Sequence, residues 1–477
     1  MSTPPRTARR ARLAQDRGPP AAPLVAEIES LDLEGNGVAR VDGKVAFIEG
    51  ALPGERVLWA RQRAKARFDT GRVVQVLRAS SLRTTPGCPH FGLAQGSCGG
   101  CSMQHLEARA QVAVKQRMLE ESLARIGHVR PETILRPIAG RSWHYRHRAR
   151  LSVRYIERKG GVLVGFHERS SSYVADMQTC KVLARPVADM LPALRELVGG
   201  LSIRDRLPQI EVAIAQGRTA LVLRVLAEPD QNDHEKLLAF AGRHRVELWL
   251  QRGGPDTAVP LEGPAGPGEL ALPLAEFGLQ LPFRPTDFTQ VNHATNEVLV
   301  RRALNLLQVA RSDVVVDLFC GMGNFTLPLA TQARRVFGIE GNAALLARAA
   351  SAAQAAGLGG RVEFALRNLF EWGAADWLAL CAGAGGTIDR LLIDPPRDGA
   401  YAVVQALVDA ARQAAEQGRA APLPRRLVYV SCNPATLARD CGWLVNQGGW
   451  ILRAAGIVNM FPHTSHVESI AVLEPSA

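Results

Sequence analysis

The sequence contains no run of 18 or more apolar residues, so neither a membrane span nor a membrane partner is expected. The segment Met1 to Pro20 carries Arg6, Arg9, Arg10, Arg12 and Arg17 with no apolar stretch behind them, which argues against a secretory signal and for a cytoplasmic protein. No internal repeat is visible, and the Ala-rich stretches read as helix rather than low-complexity disorder. Cysteine is sparse, at eight residues in 477; without an export signal these thiols are expected as metal ligands or reactive groups rather than a disulfide framework. Acidic side chains are in the minority. The balance of 57 Lys and Arg against 45 Asp and Glu leaves a net charge of +12. That suits a polyanionic partner, because each neutralised phosphate releases counterions. The 47% hydrophobic content is that of a globular chain, and the length suggests roughly three domains.

A basic tail is expected over 1–22, either solvated or in contact with the polyanion. Over 23–82, short apolar runs (Leu24–Ile28, Val45–Ile48, Val57–Ala60, Val73–Leu77) alternate with glycine turns, the spacing of a small OB-like β-barrel. Arg61 to Phe68, between the last two runs, reads as a basic hairpin tip, either solvated or the backbone-contacting edge of such a barrel. Residues 83–285 read as a mixed α+β central domain. It opens with a cysteine cluster, continues through a helix over 104–127 able to pack on the C-terminal domain, shows further helices near 185–198 and 231–242, and includes a Pro/Gly-rich loop at 252–268. From 286 to 477 strands alternate with helices: Val314–Leu318, Arg335–Glu340, Arg390–Asp394 and Arg426–Val430 are strand-like, 325–333 and 343–356 helical. This is the pattern of a doubly wound, Rossmann-like parallel sheet, so the fold class is α/β.

The first of these strands runs into Phe319-Cys-Gly-Met-Gly-Asn324-Phe-Thr and then a helix. Glycines let the backbone approach a ligand, and the helix start offers unpaired N–H groups. Glu340 ends the next strand, 23 residues after Asp317, where an acid binds ribose hydroxyls. NAD and S-adenosylmethionine both fit; an acid leading only two glycines looks like the methyltransferase version. Asn368, after the strand at Val362–Phe364, is placed either to contact the adenine or to cap a helix.

Two segments end strands on one sheet edge, Ile393-Asp394-Pro-Pro-Arg397 and Val430-Ser-Cys432-Asn-Pro434, and such ends line the ligand crevice of an open α/β sheet. Methylating C5 of uracil requires a thiol that adds to C6, a polar partner for the base and a general base for the C5 proton. Cys432 is the candidate nucleophile and Glu468, in Phe461-Pro-His-Thr-Ser-His-Val-Glu468, the candidate base. Taken alone, Cys432 also fits a small core residue, Glu468 a surface charge, and Asp-Pro-Pro an amino-methyltransferase motif, although that motif carries an aromatic where Arg397 stands. Arg141 to Arg150 mixes cations with Trp143, His144, Tyr145 and His147, which suits either RNA, with flipped bases stacked on the rings, or an ordinary strand. Cys88, Cys98 and Cys101 lie within 14 residues and Cys180 is the candidate fourth thiol. Four thiolates suit zinc or an iron–sulfur cluster, and with a single CxxC the spacing does not choose. Cys320, Cys381 and Cys441 read as core residues.

Together, Asp317-Leu-Phe-Cys-Gly-Met-Gly-Asn-Phe-Thr, Asp394-Pro-Pro-Arg, Ser431-Cys-Asn-Pro-Ala-Thr-Leu-Ala-Arg-Asp440 and Phe461-Pro-His-Thr-Ser-His-Val-Glu468 resemble the RNA uracil-5 methyltransferase family, over nearly the whole chain from about residue 23. The resemblance implies Cys432 as nucleophile and Glu468 as base. It implies Gln290, Phe319, Asn324, Glu340, Asn368 and Asp394 around S-adenosylmethionine and the substrate. It further implies a TRAM domain over 23–82 and a [4Fe-4S] cluster on Cys88, Cys98, Cys101 and Cys180, with a Cys88–Cys98 gap longer than the family's commoner one. The expected partner is 23S ribosomal RNA, with no DNA, and the expected state is a monomer. The same reaction on transfer RNA is the alternative, against which the barrel and the cluster stand. A non-catalytic RNA-binding assembly factor is another, against which the intact set of Cys432, Asp394 and Glu468 stands.

Overall fold

The structure, a computed structural model, describes residues 22–157, 161–261 and 270–476. The expected basic tail, apart from Ala22, and the part of the 252–268 loop beyond 261 lie outside the described residues. The chain divides into two compact units, Met1–Thr85 and Pro86–Ala477.

The first unit is a six-stranded sheet in the order Leu24–Glu27, Arg56–Ala64, Phe68–Arg78, Lys44–Glu49, Gly37–Val41, Ser30–Leu31. Alternation drives it: Val57 and Trp59 point inward onto Ala39, Ala46 and Ile48, and small residues are needed where the indole fills the space. The basic run forms the expected hairpin tip, with its connection at 65–67 and residues 61–67 exposed. Arg61 to Ala64 continue the strand, because buried Asp69 opposite draws in Arg61 (3.0 Å) and Lys44 (2.5 Å), and Lys65 N–H donates to the Phe68 carbonyl to close the turn.

In the second unit, residues 143–260 build a six-stranded sheet ordered Ala258–Pro260, Glu247–Gln251, Arg218–Arg224, Gln209–Ala215, Arg148–Ile156, Gly161–Gly165. The helices expected near 185–198 and 231–242 are Leu191–Gly199, preceded by the short turn Arg185–Ala188, and Gln231–His244. An eight-stranded sheet comes next, ordered Val362–Leu366, Arg335–Glu340, Val314–Leu318, Arg390–Ile393, Arg426–Ser431, Glu468–Pro475, Trp450–Val458, Thr133–Ile134. Its first five strands are parallel and every residue of Val314–Leu318 is buried, as expected where helices cover both faces. Glu468–Pro475 enters antiparallel between its two neighbours. The strand order reverses between Val314–Leu318 and Arg390–Ile393, and a crevice opens at such a switch point. Ala213, Ala220 and the hairpin Leu270–Leu274/Leu279–Phe283 share one apolar core with Val315, Leu392 and Val428.

The helix expected over 104–127 is Ala108–Ser122, extended by a π-turn at Leu123–Gly127. It packs on helix Pro434–Gly448 through glycines: a Cβ on Gly127 would stand 2.3 Å from the Ala438 carbonyl oxygen, and one on Gly442 2.5 Å from that of Gly127. Among the described residues, no helix is long and apolar enough to cross a membrane.

Candidate active site

Strand register assembles the crevice. Leu318 pairs with Ile393 and with Ile339, so Phe319, Asp394 and Glu340 emerge at one edge. Ser431 pairs with Ser469, which places Cys432 and Glu468 at the next position of the same antiparallel ladder. These residues, together with Gln290, Asn324 and Asn368, line a single cavity of about 530 Å³. All eight residues expected around the methyl donor, the substrate and the chemistry therefore meet in one place.

On the donor side the backbone turns sharply, with positive φ at Phe319 (63°), Gly321 (55°) and Gly323 (91°). Glu340 already organises this turn: its carboxylate accepts from the amides of Gly321 (3.1 Å), Gly341 (2.8 Å) and Asn342 (3.0 Å). Asp317 lies beneath, wholly buried, and accepts from Thr326 Oγ1 at 2.6 Å; burial pushes its carboxyl up to about 8. It therefore supports the turn from below. Asn324 is fixed by reciprocal amide bonds with Asn296, 2.9 and 3.0 Å. Asn368 accepts from the Phe370 amide at 3.1 Å, a local turn that leaves its side chain at the cavity wall. A bent glycine turn, a helix start and an acid at the neighbouring strand end fit an adenosyl ligand.

On the reaction side Cys432 is half-buried and precedes helix Pro434–Gly448, whose cap Asn433 also donates from Nδ2 to the Arg397 carbonyl at 3.1 Å. That bond ties the two strand-end loops together. Burial pushes the Cys432 thiol up to about 12, helped by the charges of Glu468 and Asp394 and opposed by Arg397. Burial likewise lifts Glu468 to about 8, with Asp394 adding to the rise and Lys115 and Arg397 opposing it, and lifts Asp394 to about 7. Two carboxyls that titrate near neutrality beside a nucleophile suit proton transfer.

Cys88, Cys98, Cys101 and Cys180 are all buried and line a second, small cavity of about 20 Å³. Burial raises the Cys101 thiol to about 12 and the Cys180 thiol to about 11, and the neighbouring thiols of the set add to each rise. Four buried thiols around one cavity are a donor set that fits a thiolate-ligated centre. Among the described residues no group of three or more His, Cys, Asp or Glu stands at the spacing of a single bound ion.

Two family models match: one described as tRNA (Uracil-5-)-methyltransferase over residues 261–358 and one for the TRAM domain over 24–58. The chain is 56% identical over 453 residues to the 23S rRNA (uracil(1939)-C(5))-methyltransferase RlmD of Bordetella avium, covering 95% of this chain and 91% of that protein. It is also 56% identical over 461 residues to the protein of the same description from Cupriavidus pinatubonensis, covering 95% and 96%. The chain belongs to the RNA uracil-5 methyltransferase family. Among solved structures, the Pyrococcus abyssi tRNA (uracil-54, C5)-methyltransferase in complex with S-adenosyl-L-homocysteine aligns with a TM-score of 0.66 at 21% identity, covering 94% of this chain and 100% of that one. At that identity the likeness speaks to the fold, a Rossmann-like S-adenosylmethionine-dependent methyltransferase.

Other residues of the enzyme's site carry no sequence motif. Asn296 sits on the helix His293–Leu307 that follows Gln290, and Lys115 on Ala108–Ser122, far from the crevice in sequence; both are fully buried. Paired polar residues on the buried helix faces, Gln111 with Lys115 and Thr295 with Asn296, were the available signal. The Arg141–Arg150 segment corrects an expectation in the other direction. Its rings pack inward rather than offering platforms to flipped bases: Tyr145 is buried and donates to the Pro462 carbonyl (2.9 Å), Trp143 stacks on His463 (3.9 Å between centroids) and His147 on His293 (4.4 Å). The segment thus buttresses the turn that leads to Glu468. Cys320, Cys381 and Cys441 are buried, as expected of core thiols.

Proposed function

We propose that the enzyme transfers the methyl group of S-adenosylmethionine to C5 of a uridine in 23S ribosomal RNA. The observation that carries this is the ladder position of Cys432 and Glu468, side by side on the cavity that also holds Phe319, Glu340 and Asp394. When bound, S-adenosylmethionine supplies an electrophilic methyl group. The resting thiol of Cys432 is protonated, so its attack on C6 is coupled to loss of that proton to the Asp394 carboxylate, which returns it when the thiolate departs and leaves Glu468 free to take the C5 proton. The C5=C6 electron pair moves onto the C4 carbonyl, for which Asp394 is the polar partner. C5 then takes the methyl group, Glu468 removes the C5 proton, the double bond re-forms and the Cys432 thiolate departs. The base must leave any stack to reach the cavity, so a loop or opened helix is the expected substrate.

The test is mass mapping of 5-methyluridine in cells lacking the gene: one 23S ribosomal site loses the modification while transfer RNA keeps it. Loss in transfer RNA alone favours the other substrate, and no loss anywhere favours a non-catalytic factor. The +12 net charge and the matched TRAM segment support RNA as the partner.

For the thiol cavity we propose a [4Fe-4S] cluster held by Cys88, Cys98, Cys101 and Cys180, supported by the burial of all four around one space. The longer Cys88–Cys98 segment is accommodated as a loop closed by the Cys98 amide on the His90 carbonyl at 2.9 Å. A bound cluster would cross-link segments that touch the Glu468 turn, since the Ser102 and Met103 amides donate to the His463 carbonyl at 2.9 and 3.0 Å. Anaerobically purified protein should be brown, and chelating its iron should lower the thermal midpoint by several degrees. A colourless, zinc-containing preparation rejects the cluster.

A further inference from the structure

The turn from Asn459 to Val467 delivers Glu468 to the cavity, and one helix holds it from the side. Gln111 and Lys115 lie one helical turn apart on Ala108–Ser122, both buried. Gln111 Oε1 accepts from the His463 amide at 2.8 Å. Lys115 Nζ donates to Asn459 Oδ1 and to the Phe461 carbonyl, each at 2.8 Å, across more than three hundred residues of sequence. Its side chain is fully buried. Both partners are neutral oxygens that can only accept, and burial pulls the ammonium down to about 7, because a buried positive charge is costly unless an opposite charge answers it. Glu468 is the carboxylate whose charge acts on it. For packing alone a methionine would fill the same space without that cost.

We propose that Lys115 is a positioning residue for the proton-removal step: it ties down the turn that carries Glu468 and supplies the positive charge against which the Glu468 carboxylate ionises. The inference rests on Glu468 being the base. The other groups around that carboxylate are Asp394, which opposes its ionisation, and Arg397, which favours it, with Cys432 beside it on the ladder. His463 and His466 on the turn feel the Lys115 charge in the sense that disfavours their own protonation. Lys115 therefore acts on an anion flanked by neutral imidazoles, and its removal leaves Arg397 as the cation acting on Glu468 there.

The test uses the full-length enzyme with Lys115→Met, Lys115→Gln and Lys115→Arg, measuring kcat and KM for RNA and donor across neutral and alkaline pH. In the two uncharged variants kcat at neutral pH should fall about tenfold, the loss expected from one unit of carboxyl pKa. The acid limb of kcat should move to higher pH, because Glu468 without the ammonium holds its proton longer. KM for the donor should not change, and covalent protein–RNA adduct should build up. Lys115→Arg should keep the limb where it is. An unmoved limb in both uncharged variants, or a loss confined to KM, overturns the inference. Lys115→Gln keeps a donor for Asn459, so the charge effect is read from it even where the methionine variant fails to fold; donor affinity by calorimetry reports the intact crevice. Glu468→Gln separates the two readings. Normal turnover there overturns the base assignment, whereas a stalled adduct there with an unmoved limb in the lysine variants overturns only the role of Lys115.

Discussion

Cys432→Ala is expected to abolish methylation while leaving affinity for S-adenosylmethionine unchanged within about twofold, since the substitution removes the covalent route and touches no donor contact. C5 of uracil is not nucleophilic until something adds to C6, and among the described residues no second thiol reaches the cavity from the reaction side: Cys320 lines it on the donor side, at the glycine turn. The position is half-buried at a helix start, so alanine leaves little void and the fold should survive. Methyl incorporation from labelled donor reads the chemistry and calorimetry reads the binding. Turnover near that of the native enzyme would sink the nucleophile assignment. Cys441→Ala is the contrasting control. That thiol is fully buried in the same helix, where its loss should cost stability, on the order of 1 kcal/mol, and leave the chemistry alone.

The donor crevice was legible because its parts succeed one another along the chain: strand, bent glycine turn, helix, then an acid at the next strand end, where local geometry is set by local sequence. Cys432 and Glu468 were legible as motifs, but their adjacency was not. It arises because the last strand enters antiparallel beside Arg426–Ser431, an arrangement that hydrophobic runs alone do not distinguish from continuation of the parallel series. Lys115 and Asn296 escaped because neither lies in a motif of the resembled family, and only the tertiary contact reveals its partner. The aromatic and basic stretch at Arg141–Arg150 misled for the opposite reason. Composition suited RNA, whereas packing turned Trp143, Tyr145 and His147 against the protein's own loops, as large rings do wherever apolar surface is within reach.

Glu468→Gln should slow turnover by about 10²–10⁴-fold, the range for removing a positioned base, and do so after the methyl group has moved. Glutamine keeps the volume of a residue that is buried in the sheet ladder, so the effect falls on proton transfer rather than on folding. The C5 proton then has no acceptor, elimination fails and Cys432 stays bonded to C6. A methylated protein–RNA species that survives denaturation should accumulate to about one per active site. Native enzyme should show a second signature of the same group. Glu468 works only as the carboxylate, and burial with Asp394 nearby raises it to about 8, so kcat should climb as pH rises through that value and fall away below it. The pH limb should vanish in Glu468→Gln, because the residual rate no longer waits on that carboxyl. An adduct that fails to accumulate while turnover stays normal would assign the proton to another group, and Asp394, which titrates near 7 on the same wall of the cavity, is the group to substitute next.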